Sequence, residues 1–183
     1  MVPGPDLADV DFDDCLERAR QLLGAADDHA ALDEANLAVN AALAMRPASA
    51  CGWLVKCQVL SARGDDVAAL AAAEMALRRA PHRAEAHYWR GAILGDLGRH
   101  REALRSIERA FKDQVPDDAW LVEDLFYEKA VILEALGERE AAAETYELGL
   151  ARCPSSAILR QGLAPLRRAQ VKSSLRVLRG GLP

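Results

Sequence analysis

The chain has 183 residues, of which 51% are hydrophobic, 28% charged and 5% aromatic, with a net charge of −5. Those proportions suit one folded domain or a short repeat array and exclude intrinsic disorder of the whole chain. No stretch approaches the roughly 18 uncharged apolar residues of a membrane span, and Met1-Val2-Pro3-Gly4-Pro5-Asp6 lacks the basic and apolar regions of a secretory signal. Cys15, Cys51, Cys57 and Cys153 have neither CxxC spacing nor a histidine partner, so reduced, packed thiols in a cytoplasmic protein are expected.

Charge is unevenly placed. Residues 1–17 hold Asp6, Asp9, Asp11, Asp13, Asp14 and Glu17 with no Lys or Arg. Residues 155–183 hold six basic residues and no acidic one, which leaves the first 154 residues at −11. Much of the apolar content is alanine, as in Ala68-Ala69-Leu70-Ala71-Ala72-Ala73, a run of high helix propensity with no β-branched residue. The fold class is therefore all-α.

In chain order, residues 1–15 are expected to be an acidic, partly disordered lead-in. From Leu16 the sequence repeats itself. Windows starting at Leu16, Ala50, Ala84 and Glu123 superimpose at steps of 34, 34 and 39 residues, the last lengthened by an insertion around Gln114–Asp118. The twentieth position holds Ala35, Ala69, Ala103 and Ala142; the twenty-seventh holds Ala42, Ala76, Ala110 and Gly149. The eighth holds Cys57, Gly91 and Ala130, and the eleventh Leu60, Leu94 and Leu133. Glycines follow at Gly64, Gly98 and Gly137, where a helix must end in a left-handed residue. Arg46-Pro47, Ala80-Pro81 and Cys153-Pro154 close the second helix of a window. Each window thus predicts two antiparallel helices, A and B. A presents a stripe such as His87, Gly91 and Leu94 to the Ala103, Ile107 and Ala110 of B. One pair cannot bury its own stripe, so the pairs stack into a solenoid.

This pattern, clearest in Trp53…Cys57…Leu60…Gly64…Ala69…Ala76…Pro81, resembles the tetratricopeptide-repeat (TPR) family over residues 16–156. The array divides into 16–49, 50–83, 84–122 and 123–156. The first window is degenerate, with Asp27-Asp28-His29 in place of the loop glycine, and is expected to cap the array. Lys56, Arg90 and Lys129 stand at the seventh position, where the family often has leucine; their long stems can be buried with the charge kept in water. Ser155-Ser156 predicts the N-cap of a basic capping helix over 157–179, laid on the array through Leu159, Leu163 and Leu166. Pro165 kinks it or starts a second helix. Residues 180–183 are expected to be a flexible tail.

The sequence shows no catalytic constellation. His29, His82, His87 and His100 fall in different repeats or loops, and no Gly-rich phosphate loop or HExxH run is present. Neither an enzyme activity nor a cofactor, metal or small-molecule substrate is expected.

The resemblance implies that helices A line a concave groove that holds a polypeptide. Carried onto this sequence, its groove positions include Leu54 and Gln58, then Glu85, Tyr88, Trp89 and Asp96, then Asp124, Tyr127, Glu128, Val131 and Glu134. Leu54, Tyr88 and Tyr127 share one register and predict an apolar-aromatic column. Glu85, Asp96, Asp124, Glu128 and Glu134 predict an acidic rim, suited to an apolar segment with basic flanks. The basic set with which one TPR subclass clamps chaperone C-termini is missing. The matching positions are Arg20, Gly24, Val55, Glu85 and Trp89, or one repeat later Leu54, Gln58, Trp89, Asp124 and Glu128.

The basic tail, with Arg160, Arg167, Arg168, Lys172, Arg176 and Arg179, admits three readings. It is a cap with a solvated face, or it pairs with the acidic groove or N-terminus of its own or a neighbouring molecule, giving autoinhibition or homo-oligomers, or it contacts nucleic acid or an anionic membrane. The absence of aromatic residues in the tail and the acidity of the body disfavour nucleic acid. The leading expectation is a protein-binding scaffold or adaptor; a small TPR chaperone of a secretion system is the alternative of the same architecture.

Overall fold

The computed structural model describes residues 11–24, 29–113 and 119–180, the side chains of 119, 120 and 172–180 excepted. The described residues form helices without strands: α1 (Phe12–Leu23), α2 (His29–Met45), α3 (Ala50–Ala62), α4 (Asp66–Arg79), α5 (Ala84–Asp96), α6 (His100–Asp113), α7 (Ala119–Ala135), α8 (Arg139–Arg152) and α9 (Ala157–Gly180). The chain is all-α, as its composition predicts.

Three helices A end alike. Gly64, Gly98 and Gly137 have φ of 74°, 72° and 81°. The next residue's N–H then reaches back five residues, Asp65 to Leu60 O (2.9 Å), Arg99 to Leu94 O (2.8 Å) and Glu138 to Leu133 O (2.9 Å). This closes a glycine-dependent C-cap and reverses the chain in three residues. The Asp65 side chain then caps α4 by accepting from the Ala68 N–H at 3.1 Å. In the first window, Asp27 and Asp28 lie outside the described residues, as does the insertion at 114–118; His29 begins α2.

The small residues sit where the helices touch. Ala35, Ala69, Ala103, Ala142, Ala42, Ala76 and Ala110 are fully buried. A Cβ added to Gly91 would stand 2.5 Å from Ile107 Cδ1, so any larger residue at the α5–α6 crossing would have to displace the Ile107 side chain. Each helix B also packs on the next helix A, and the A helices touch in series, α1 to α3 to α5 to α7. No two B helices touch among the described residues. The A helices therefore form the inner, concave row of the curve.

Two helices begin earlier than the windows predict. α1 starts at Phe12, capped by Asp11 Oδ1, which accepts from Asp13 N (2.8 Å) and Asp14 N (2.9 Å). Phe12 and Cys15 are buried, so the end of the acidic lead-in is already part of the fold; residues 1–10 lie outside the described residues. α7 starts at Ala119 and adds the buried Leu121 below Leu125.

α9 is one helix through Pro165. It packs on α8 and α7 as each helix A packs on the preceding pair, so it occupies the place of a further helix A. Leu159 and Leu163 are buried and Leu166 packs beside them against Tyr146. Ser156 Oγ accepts from Leu159 N at 3.2 Å and donates to Glu123 Oε1 at 2.6 Å, which ties the start of α9 to α7. Residues 181–183 lie outside the described residues.

Candidate functional site

α5 and α7 turn one face each to the concave side. Tyr88 on α5 and Tyr127 on α7 are both half-buried. Tyr88 meets Trp89 edge-on with ring centroids 5.6 Å apart, and Tyr127 is tilted against the buried Tyr146 at 6.4 Å. Both rings are thus held from behind by the core. Val131 is 37% exposed, a large apolar side chain open to solvent.

Around these residues, Asp96 (exposed) stands on α5, with Asp124 and Glu128 (both half-buried) on α7. No Lys, Arg or His among the described residues lies within ion-pair distance of the three. Burial, then Asp96 and Asp124, pushes the Glu128 carboxyl up to about 7. Burial and then Glu123 raise Asp124. Burial raises the Tyr88 hydroxyl, and Asp124, Glu128 and Asp96 add to it, so this ring stays neutral. Asp96, Asp124, Glu128 and Tyr88 are therefore brought together across the α5–α7 seam as an uncompensated acidic patch on an aromatic floor.

The remaining expected groove residues divide. Leu54 is 2% exposed and packs on Ala76 and Ala86 beneath Trp53 and Trp89, so it belongs to the core and not to a groove column. Glu85 is neutralised: Arg83 Nη2 approaches its Oε2 at 3.0 Å, and Gln58 Nε2 donates to its Oε1 at 3.3 Å. Glu134 Oε1 accepts from the Tyr146 hydroxyl at 2.9 Å and serves the α7–α8 contact. The Trp89 indole N–H is buried without a partner among the described residues, and its ring packs towards α3 and α4.

In the basic tail, Arg167 Nη2 is 3.0 Å from Glu147 Oε1, and Arg160 donates to the carbonyls of Ser155 (2.6 Å) and Ser156 (3.0 Å). Arg168 Nε donates to its own helix at Ala164 O, 3.3 Å away. The side chains of Lys172, Arg176 and Arg179 lie outside the described ones.

Two further sets of residues find partners that spacing alone does not give. Lys56, Arg90 and Lys129 each reach a preceding helix B. Lys56 Nζ donates to Asn36 (2.5 Å) and Asn40 (2.6 Å), Arg90 lies 3.8 Å from Glu74, and Lys129 lies 4.0 Å from Glu108 and over the Phe111 ring. His82 and His87, which sequence spacing keeps apart, converge on the Asp113 carboxylate at 3.5 and 3.7 Å, beside Arg109. Burial opposes the Asp113 charge, but the Arg109 hydrogen bond holds its carboxyl below the usual range. Asp113 ends α6, where a carboxylate meets the negative helix terminus, so Arg109 offsets a local penalty. The grouping ties the turn between α4 and α5, α5 itself and α6 together.

The tetratricopeptide-repeat family model matches residues 84–112 and 123–156, the α5–α6 pair and most of α7 and α8. The described helices also superpose on solved TPR structures. TTC0263, a thermophilic TPR protein in Thermus thermophilus, shares 21% identity over 85% of this chain and 81% of its own, with a TM-score of 0.71. A tetratricopeptide repeat protein from Parabacteroides merdae ATCC 43184 shares 15% over 94% of this chain and 64% of its own, also at 0.71.

Two tetratricopeptide repeats are present, and the described helices have the TPR fold.

A MamA fragment from Desulfovibrio magneticus RS-1 has the same fold, at 16% identity over 91% of this chain and 93% of its own, with a TM-score of 0.69. Identities this low speak for the TPR fold alone. No curated protein matches the chain in sequence. TPR proteins generally mediate protein–protein interactions and typically act as non-enzymatic scaffolds. Among the described residues no helix is long and apolar enough to cross a membrane.

Proposed function

We propose that this chain is a non-enzymatic scaffold or adaptor that holds a polypeptide segment along α5 and α7. Apolar residues of the partner lie on Tyr88, Tyr127 and Val131, and its cationic residues face Asp96, Asp124 and Glu128. The observation that carries this reading is the carboxylate set itself, held beside aromatic rings with no cation within ion-pair distance among the described residues. Desolvated like charges cost stability unless a partner offsets them. The other rim acids, Glu85 and Glu134, already have partners within the chain, which narrows the expected groove to the α5–α7 seam. A reducing, cytoplasmic location belongs to the same reading, supported by four free cysteines, of which Cys15 and Cys57 are buried.

The test is capture of partners from source lysate by the wild type and by an Asp96→Lys, Asp124→Lys, Val131→Glu variant shown to be folded by circular dichroism. A protein retained by the wild type and lost by the variant supports the groove. Equal recovery by both removes it and directs attention to another face.

A further inference from the structure

Two features of the molecule complement each other. The first is how far α9 runs. It lies antiparallel to α8, and Leu166, Ala169 and Gln170 stand beside Arg139 and Glu140, the first residues of α8. α7 ends on the same edge at Ala135. α9 nevertheless continues as helix to Gly180 and, among the described helices, touches only α7 and α8. The ten residues 171–180 therefore carry it about 15 Å past the edge of the array. Val171, at the start of this stretch, is 59% exposed. Along it the sequence places Val171, Leu175 and Leu178 at i, i+4 and i+7, and Lys172, Arg176 and Arg179 at the same spacing one residue on. The sequence thus sets an apolar i, i+4, i+7 series beside a basic one.

The second feature is the α5–α7 seam, with exposed Val131, aromatic rings and the uncompensated Asp96, Asp124 and Glu128. An apolar series flanked by a basic one is the chemistry that this seam lacks. The chain's own α9 end cannot supply it. The helix is continuous, lies in the same inner row as α7, and projects outward along its own axis. It would have to break and reverse to lie on the seam of the molecule that carries it.

We propose that the projecting end of α9 docks in the α5–α7 groove of a second copy of this chain, giving head-to-tail self-association. The inference rests on the groove reading above and adds the occupant. Such an interface is heterologous, with one surface of each kind per molecule, so association continues beyond a dimer unless it closes into a ring. The contact is partly between exposed charges, so raising salt from about 0.05 to about 0.5 M weakens it.

Sedimentation velocity over a concentration series tests this with the full chain, a variant truncated after Gln170, and the Asp96→Lys, Asp124→Lys, Val131→Glu variant. The wild type is expected to shift to larger, salt-sensitive species as concentration rises, while each variant alone stays monomeric. The truncated chain keeps an intact groove and the groove variant an intact helix end, so mixing them is expected to give a one-to-one complex and nothing larger. A wild type that stays monomeric at the highest concentration overturns the proposal. So does association that persists in either variant, or a mixture that fails to combine. Lysate capture separates this failure from that of the groove reading, because a groove-dependent partner bound by a monomeric wild type would leave that reading standing.

Discussion

Glu128 shows most directly what the crowding of carboxylates at the seam does to a single side chain. Its carboxyl is pushed up to about 7 by burial and by Asp96 and Asp124, above the ordinary value of 4.5. The folded state therefore keeps a proton that the unfolded chain releases. The stability this gives is complete below the unfolded value and is lost as pH rises through about 7. Glu128→Gln is expected to leave the melting temperature nearly unchanged at pH 5 and to stabilise the protein by about 1–2 kcal/mol at pH 8. A variant no more stable than wild type at pH 8 would mean that the seam carries no electrostatic strain. At this scale the sequence was an uneven guide. Register placed Tyr88, Tyr127, Asp96, Asp124 and Glu128 on the inner row, but misjudged Leu54. Leucine lacks the reach of tyrosine, so at the same register it packs down onto Ala76 and Ala86. Glu85 looked free because its partner Arg83 precedes the helix and lies outside the repeat positions. The pairing of His82 and His87 through Asp113 depends on a residue from another helix, and local spacing holds no trace of it.

At the scale of helices, legibility followed the physics of close contact. The alanine ladder and the loop glycines were readable because steric exclusion at a crossing, and a positive φ at a reversal, each admit very few residue types. Helix starts were less readable: α1 and α7 begin ahead of their windows, where ordinary apolar residues such as Phe12 and Leu121 extend the packing. Ala103 is fully buried at the α5–α6 contact. Ala103→Leu is expected to overpack that crossing and cost about 1–3 kcal/mol in chemical denaturation; an unchanged midpoint would show that the crossing yields. The attachment of α9 can be probed at Ser156, whose hydroxyl both caps the helix and bonds Glu123. Ser156→Ala is expected to cost about 1 kcal/mol and to raise amide exchange in α9 before the rest of the array. Uniform loss of protection in every helix would argue against a local role for this cap.

For the whole molecule, the curve has a mechanical consequence. The inner helices touch one another in series, while the outer helices leave gaps. Bending the array more tightly would compress contacts already at van der Waals distance, and packed interiors resist compression. Straightening it parts the inner contacts but compresses nothing, because the outer helices move into space that is free. The array is thus stiff against closing and compliant against opening. Its groove can widen around a thick occupant, such as a helix, but cannot tighten around a thin one.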